Sequence, residues 1–145
     1  MPEAHSTARA VAYYRKSNED DGGSVQQQRE WAAAKCPPEG ITVVREFVDQ
    51  AVSGHDTDRR ADFHAMLKFC QDEKKKGRPI GVIVCWKANR FSRSDSNETG
   101  HFIWEFRQAG TGRMLTSQKW IDFARMEDRL VFNIEQDASS HAKAG

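Results

Sequence analysis

"ARAVAYYRKS", residues 8–17, decides how the rest of the chain is read: a run with the look of a buried strand passes straight into an arginine, a lysine and a serine. Alternate side chains of a strand share a face. Tyr13, Arg15 and Ser17 therefore point the same way, and the serine emerges at the strand's carboxyl end. Open α/β sheets place ligands just outside the carboxyl ends of their strands, where a hydroxyl nucleophile and an anion-holding guanidinium are useful. The plainer reading is that Arg15 and Ser17 begin a wet loop, and the segment taken alone favours it.

Outward from this strand, short apolar runs alternate with longer amphipathic ones, the pattern of a mostly parallel sheet covered by helices. After the polar loop "NEDDGG", Ser24 and Gln27 form a capping box for a helix through about Lys35, which "CPPEG" stops. "ITVVREFVD" (41–49) is the second strand. A loop, "QAVSGHDTD", then precedes a helix with Phe63, Met66, Leu67 and Cys70 at helical spacing, closed by Gly77 and Pro79. "IGVIVCW" (80–86) is apolar on both parities, which marks a central strand. A capping signal at Ser94 opens a helix carrying Phe102, Ile103 and Phe106 that Gly110 ends, and a short strand lies near "RMLTS". "DFARMED" (122–128) reads as a helix start with acidic caps, and from about Phe123 the last segment puts Leu130, Val131, Ile134 and Ala138 on one stripe. The chain then stops at "HAKAG", which reads as a cut.

The 145 residues are the length of one domain, and 38% hydrophobic with 30% charged residues is ordinary for a soluble protein. No apolar run approaches bilayer length and "MPEAHSTARA" has no signal-peptide character, so a cytoplasmic protein is expected. A net charge of +1 does not advertise nucleic-acid binding as a strongly basic domain would. "KKKGR" (74–78) reads as a solvated helix end. Cys36, Cys70 and Cys85 contain no C-x-x-C pair and read as reduced structural thiols. His55 and His64 lack a third ligand, so no metal site is expected. Trp86, Trp104 and Trp120 lie inside apolar runs and read as core.

A second polar cluster follows the third strand: "KANRFSR" (87–93) supplies Arg90 and Arg93, three apart and so on one face of a helical turn. Two strands thus deliver three arginines to one edge. Between them "VSGHDTDRR" (52–60) brings Ser53, Gly54 and either Arg59 or Arg60. A planar guanidinium grips two phosphate oxygens at once and stays charged at any working pH, so the expected client is a phosphodiester.

These residues resemble the serine recombinases, the resolvase and invertase group with its integrase-like relatives. The family's opening tyrosine, arginine and serine at alternate positions are similar to Tyr13, Arg15 and Ser17, and the serine and glutamine that follow to Ser24 and Gln28. Its "D…SG…R" stretch looks like Asp49, Ser53, Gly54 and Arg60, and its "DRLSR" signature like "NRFSR", residues 89–93. The resemblance implies a three-layer helix/sheet/helix catalytic domain with a mostly parallel central sheet. It also implies the start of a long C-terminal helix from about Phe123, interrupted at Gly145, with the DNA-binding region absent from the sequence. Ser17 would attack a phosphodiester of double-stranded DNA to form a 5′-phosphoserine, with Arg15, Arg90 and Arg93 around the phosphate and Arg60 beside them. Tyr13, Gln28, Asp49, Ser53 and Asn89 would support them. Dimers would pair into a tetramer at recombination sites, without metal or nucleotide cofactor and without a membrane. The chain departs from the family at Asn89, where aspartate is usual, and in the last helix, where a glutamate often falls and this chain offers His141 or Ala142. An uncharged amide at Asn89 keeps hydrogen bonds and loses acid–base capacity, which leaves an inactive assembly or regulatory module as the alternative. A magnesium-dependent phosphatase using Ser17 is the more distant one, since no tight D-x-D pair sits at a strand end.

Overall fold

The alternation of apolar and amphipathic segments folds into a five-stranded sheet with helices on both faces. The computed structural model describes residues 8–15, 24–49, 61–87 and 96–125. In chain order these form β1 (Ala8–Arg15), α1 (Val25–Lys35), β2 (Ile41–Asp49), α2 (Ala61–Lys75), β3 (Val82–Cys85), α3 (Ser96–Gln108), β4 (Arg113–Leu115) and β5 (Trp120–Asp122). The sheet order is β2-β1-β3-β4-β5, parallel throughout except for β5, which runs against β4.

That order follows from the residue pattern. β3 is buried at every position and takes the middle of the sheet, as expected of a strand apolar on both parities. Alternation along β1 sends Val11 and Tyr13 to one face and Ala10, Ala12 and Tyr14 to the other. The first face packs under α2 and α3, around Phe63, Met66, Cys70, Ile103 and Phe106. The second packs under α1, where Ala32 and Cys36 meet the small side chains of β1. β2 lies at the edge and bulges at Val44, so that Ala10 pairs with Val43 and Val11 with Arg45. The chain leaves β1 toward β2 and returns past β1 to β3. The direction of winding therefore reverses between β1 and β3, and a crevice is expected at their carboxyl ends.

Helix boundaries match their local chemistry. Ser24 Oγ accepts from the Gln27 amide at 3.1 Å while Gln27 Oε1 accepts from the Ser24 amide at 2.8 Å, which is the capping box in full. Gly77 and Gly110 close α2 and α3 at φ of +77° and +85°, a region costly for any residue with a Cβ. Ser94, Leu130, Val131, Ile134 and Ala138 lie outside the described residues.

Two expectations are corrected. Residues 122–125 do not start a helix: Trp120–Asp122 form β5, and a turn follows in which Asp122 Oδ1 accepts from the Ala124 amide at 2.9 Å. An aspartate capping a turn and one capping a helix use the same acceptor, so spacing alone does not separate them. Phe123, instead of opening an amphipathic stripe, is fully buried in the main core. Trp104 is 54% exposed. The core stripe of α3 is Ile103 and Phe106, and one residue beyond Ile103 turns about 100° away, so Trp104 stacks on His101 outside the core. Trp86 and Trp120 are half-buried, Trp120 under the Arg113 guanidinium with its Nε1 donating to Glu39 at 3.0 Å.

"KKKGR" is solvent-exposed at the end of α2, as expected, and two of its side chains also reach a neighbouring carboxylate. Buried Glu73 accepts from Arg9 at 2.9 Å and Arg78 at 3.1 Å, with Lys76 Nζ at 3.7 Å, while Arg9 also donates to the Arg78 carbonyl. Arg9, Glu73 and Arg78 thus join the start of β1 to the end of α2, while the basic run keeps its exposed place. The Arg9 hydrogen bond, backed by the charge of Arg78 and opposed by burial, holds the Glu73 carboxyl below its ordinary range. A carboxylate depressed in the folded state stabilises it above the unfolded pKa, about 4.3, and that contribution fades as pH falls through the lower folded value. Glu73→Gln should accordingly lose less stability than wild type between about pH 6 and about pH 3 in denaturant titrations. Parallel pH profiles would show that the carboxylate has no such role.

Candidate active site

The carboxyl ends of β1 and β2 meet in register, with Arg15 opposite Asp49 and Tyr13 opposite Phe47. Tyr13, Arg15 and Asp49 occupy the α2 side of the sheet. The Tyr13 hydroxyl donates to Asp49 Oδ2 at 2.7 Å, and its ring meets Phe63 edge-to-face with centroids 5.5 Å apart. Asp49 also accepts the first amides of α2: Asp62 N at 3.0 Å on Oδ1 and Phe63 N at 3.0 Å on Oδ2. Asp62 returns the bond, accepting from the Val48 amide at 2.8 Å. A carboxylate at a helix N-terminus satisfies amides that have no partner inside the helix and complements its dipole. The start of α2, one residue beyond Arg60, is thereby tied to the end of β2.

Gln28 reaches the same edge from the other face. Fully buried, it donates through Nε2 to the Arg15 carbonyl at 3.1 Å, and its Oε1 lies 3.4 Å from the Arg15 amide. A side-chain amide presents one donor and one acceptor, the complement of one peptide unit, so Gln28 continues the ladder where β1 would otherwise fray. Arg15 is only 6% exposed. Its backbone is anchored two residues before Ser17.

Of the residues expected in the site, the structure brings together Tyr13, Arg15, Gln28 and Asp49. Ser17, Ser53, Arg60, Asn89, Arg90 and Arg93 lie outside the described residues, as do Gly54 and His55. Two contributors were missed. Asp62 is one, and its only sequence signal was an acidic residue in the first turn of a helix. Cys85 is the other: its thiol donates to the Lys87 carbonyl at 3.2 Å, bracing the chain as it leaves β3. The thiols fit the structural reading, since all three cysteines are free and buried, and burial pushes Cys36 up and Cys70 up to about 11, leaving both protonated.

No helix among the described residues is long and apolar enough to cross a membrane. A search of curated proteins finds no match. Solved structures with this architecture do exist. The N-terminal catalytic domain of TP901-1 integrase matches with a TM-score of 0.65 at 18% identity, covering 94% of this chain and 96% of that one. A resolvase family site-specific recombinase from Streptococcus pneumoniae matches at 0.67 and 16%, covering 95% and 89%. The C-terminal catalytic domain of ISC1926 TnpA, an IS607-like serine recombinase, matches at 0.57 and 18%, covering 74% and 69%. At such identities these likenesses establish the fold. Sequence settles the rest, because the family model "Resolvase, N terminal domain" matches residues 10–144. With the family's arrangement of tyrosine, arginine and serine leaving the first strand of a matching sheet, the chain belongs to the resolvase family of serine recombinases, whose business is site-specific recombination of DNA.

Proposed function

We propose that this chain cleaves and rejoins double-stranded DNA with Ser17 as the nucleophile. The Ser17 oxygen attacks a backbone phosphorus, a bond to Oγ forms and the bond to O3′ breaks. The serine proton passes through water or an arginine to the departing oxygen. A 5′-phosphoserine and a free 3′-hydroxyl result, and the reverse attack rejoins strands after exchange within a tetramer assembled from two dimers. Negative charge grows on the phosphate in the transition state, and guanidinium groups placed in advance stabilise it there. Arg15, Arg90 and Arg93 have that role, with Arg60 beside them. Tyr13, Gln28, Asp49 and Ser53 hold the edge in shape, and Asn89 orients an arginine by hydrogen bonding alone. No step calls for a metal or nucleotide.

The observation that carries this reading is Arg15 itself: a buried arginine at the last position of β1, at the reversal of winding, with its backbone held by Gln28. The test is covalent trapping. The protein is incubated with DNA carrying its recombination site, quenched in denaturant and digested. A Ser17 peptide bearing a 5′-phosphate is expected, and Ser17→Ala should yield none. DNA bound and paired without any adduct would instead support the assembly module that Asn89 suggests. Magnesium-dependent release of phosphate from a soluble ester, with no DNA bound, would support the phosphatase.

A further inference from the structure

We propose that Trp31 and Trp86 are positioning residues, and that α1 is a strut fixing the exits of β1 and β3 relative to each other. The inference rests on reading Ser17 as the nucleophile. Both exits lead to residues of the proposed chemistry: β1 reaches Ser17 two residues past Arg15, and β3 reaches Arg90 three residues past Lys87. The two strands are neighbours, with Tyr13 opposite Cys85.

α1 touches both exits from one side. Gln28 holds the Arg15 backbone, and Trp31, three residues later and so on the same face of the helix, meets Trp86 edge-to-face with centroids 5.4 Å apart and planes at 89°. Trp86 is gripped elsewhere as well, its carbonyl accepting from the Ser117 amide at 3.0 Å, and the next residue is held by the Cys85 thiol. Among the described residues nothing accepts a hydrogen bond from the enclosed Trp86 Nε1. Among the described residues the ring is placed by packing, and Trp31 supplies it. The capping box at Ser24 and Gln27 fixes where α1 begins, which sets the rotational phase that turns Gln28 and Trp31 toward the sheet.

Loss of this contact should leave the fold and the grip on DNA in place while loosening the relative position of nucleophile and arginines. A misplacement of about 1 Å in such a site costs up to about 10²-fold in rate. Trp31→Ala suits the test because alanine is the best helix former, so α1 itself is preserved. The expected result with the recombinase and its DNA site is a fall of about tenfold or more in the rate of Ser17 adduct formation at saturating DNA, with DNA affinity within about twofold of wild type. Trp31→Phe, which keeps an aromatic edge, should restore most of the rate. Amide hydrogen exchange supplies a readout that needs no chemistry: the Ser117 amide, which donates to the Trp86 carbonyl, should exchange faster in Trp31→Ala than in wild type, with those of Val82 to Val84 unchanged.

Wild-type rate in Trp31→Ala, or a loss that Trp31→Phe fails to rescue, overturns the proposal. So does equal loss of protection across all of β3, which would make the pair ordinary core packing. Absence of a Ser17 adduct in wild type would sink the nucleophile reading alone, and the exchange measurement would still decide whether α1 braces β3.

Discussion

Arg15→Lys is expected to slow formation of the Ser17–DNA adduct by about 10²–10³-fold, the usual cost of removing one placed donor from a developing charge. Lysine keeps the positive charge and most of the stem, and loses the fork that engages two phosphate oxygens. If Arg15 served only as bulk charge near DNA, the substitution would matter little. Single-turnover cleavage with the wild-type recombination site, quantified on denaturing gels, makes the comparison. A variant cutting at the wild-type rate would remove Arg15 from the reaction.

Asp49→Ala should produce the largest loss of stability among the described site residues, about 3 kcal/mol. Loss of an N-cap acceptor accounts for roughly 1–2 kcal/mol and an orphaned buried donor for roughly 1–3. Three donors lose their acceptor together: the Tyr13 hydroxyl and the amides of Asp62 and Phe63. Against a typical stability of about 5–15 kcal/mol, such a loss threatens the folded state itself. Tyr13→Phe should cost only about 1 kcal/mol, since it removes the donor and leaves Asp49 with both helix amides. In the double variant the two effects should not add, because the hydroxyl orphaned by Asp49→Ala is no longer present. Urea titrations of the four proteins measure the cycle, and strict additivity would mean that the hydrogen bond contributes nothing.

Where the fold was legible in the sequence, local chemistry and tertiary context agreed. The capping box at Ser24 and the glycines at 77 and 110 carry their boundaries in their own side chains or in the lack of one. β3 announced its central place because a strand covered on both faces has no polar parity. β5 was not legible: three residues, Trp120–Asp122, become a strand only because β4 lies antiparallel to them, and no local preference encodes that partner. Trp104 was misread for a related reason, since an apolar run shows hydrophobicity while only helical phase shows which side meets the core.

The site divides in the same way. Tyr13 and Arg15 could be placed on one face from the sequence alone, because strand alternation is a property of the backbone and holds in any context. The family could be recognised too, because its motifs are short and keep their order along the chain. What the sequence could not determine is that Asp49 spends its oxygens on the start of α2 and the Tyr13 hydroxyl, or that Gln28 and Trp31 reach two neighbouring strand exits from a single helix. Those contacts join residues far apart in the chain, and they exist only once the winding reverses between β1 and β3 and brings the strand ends side by side.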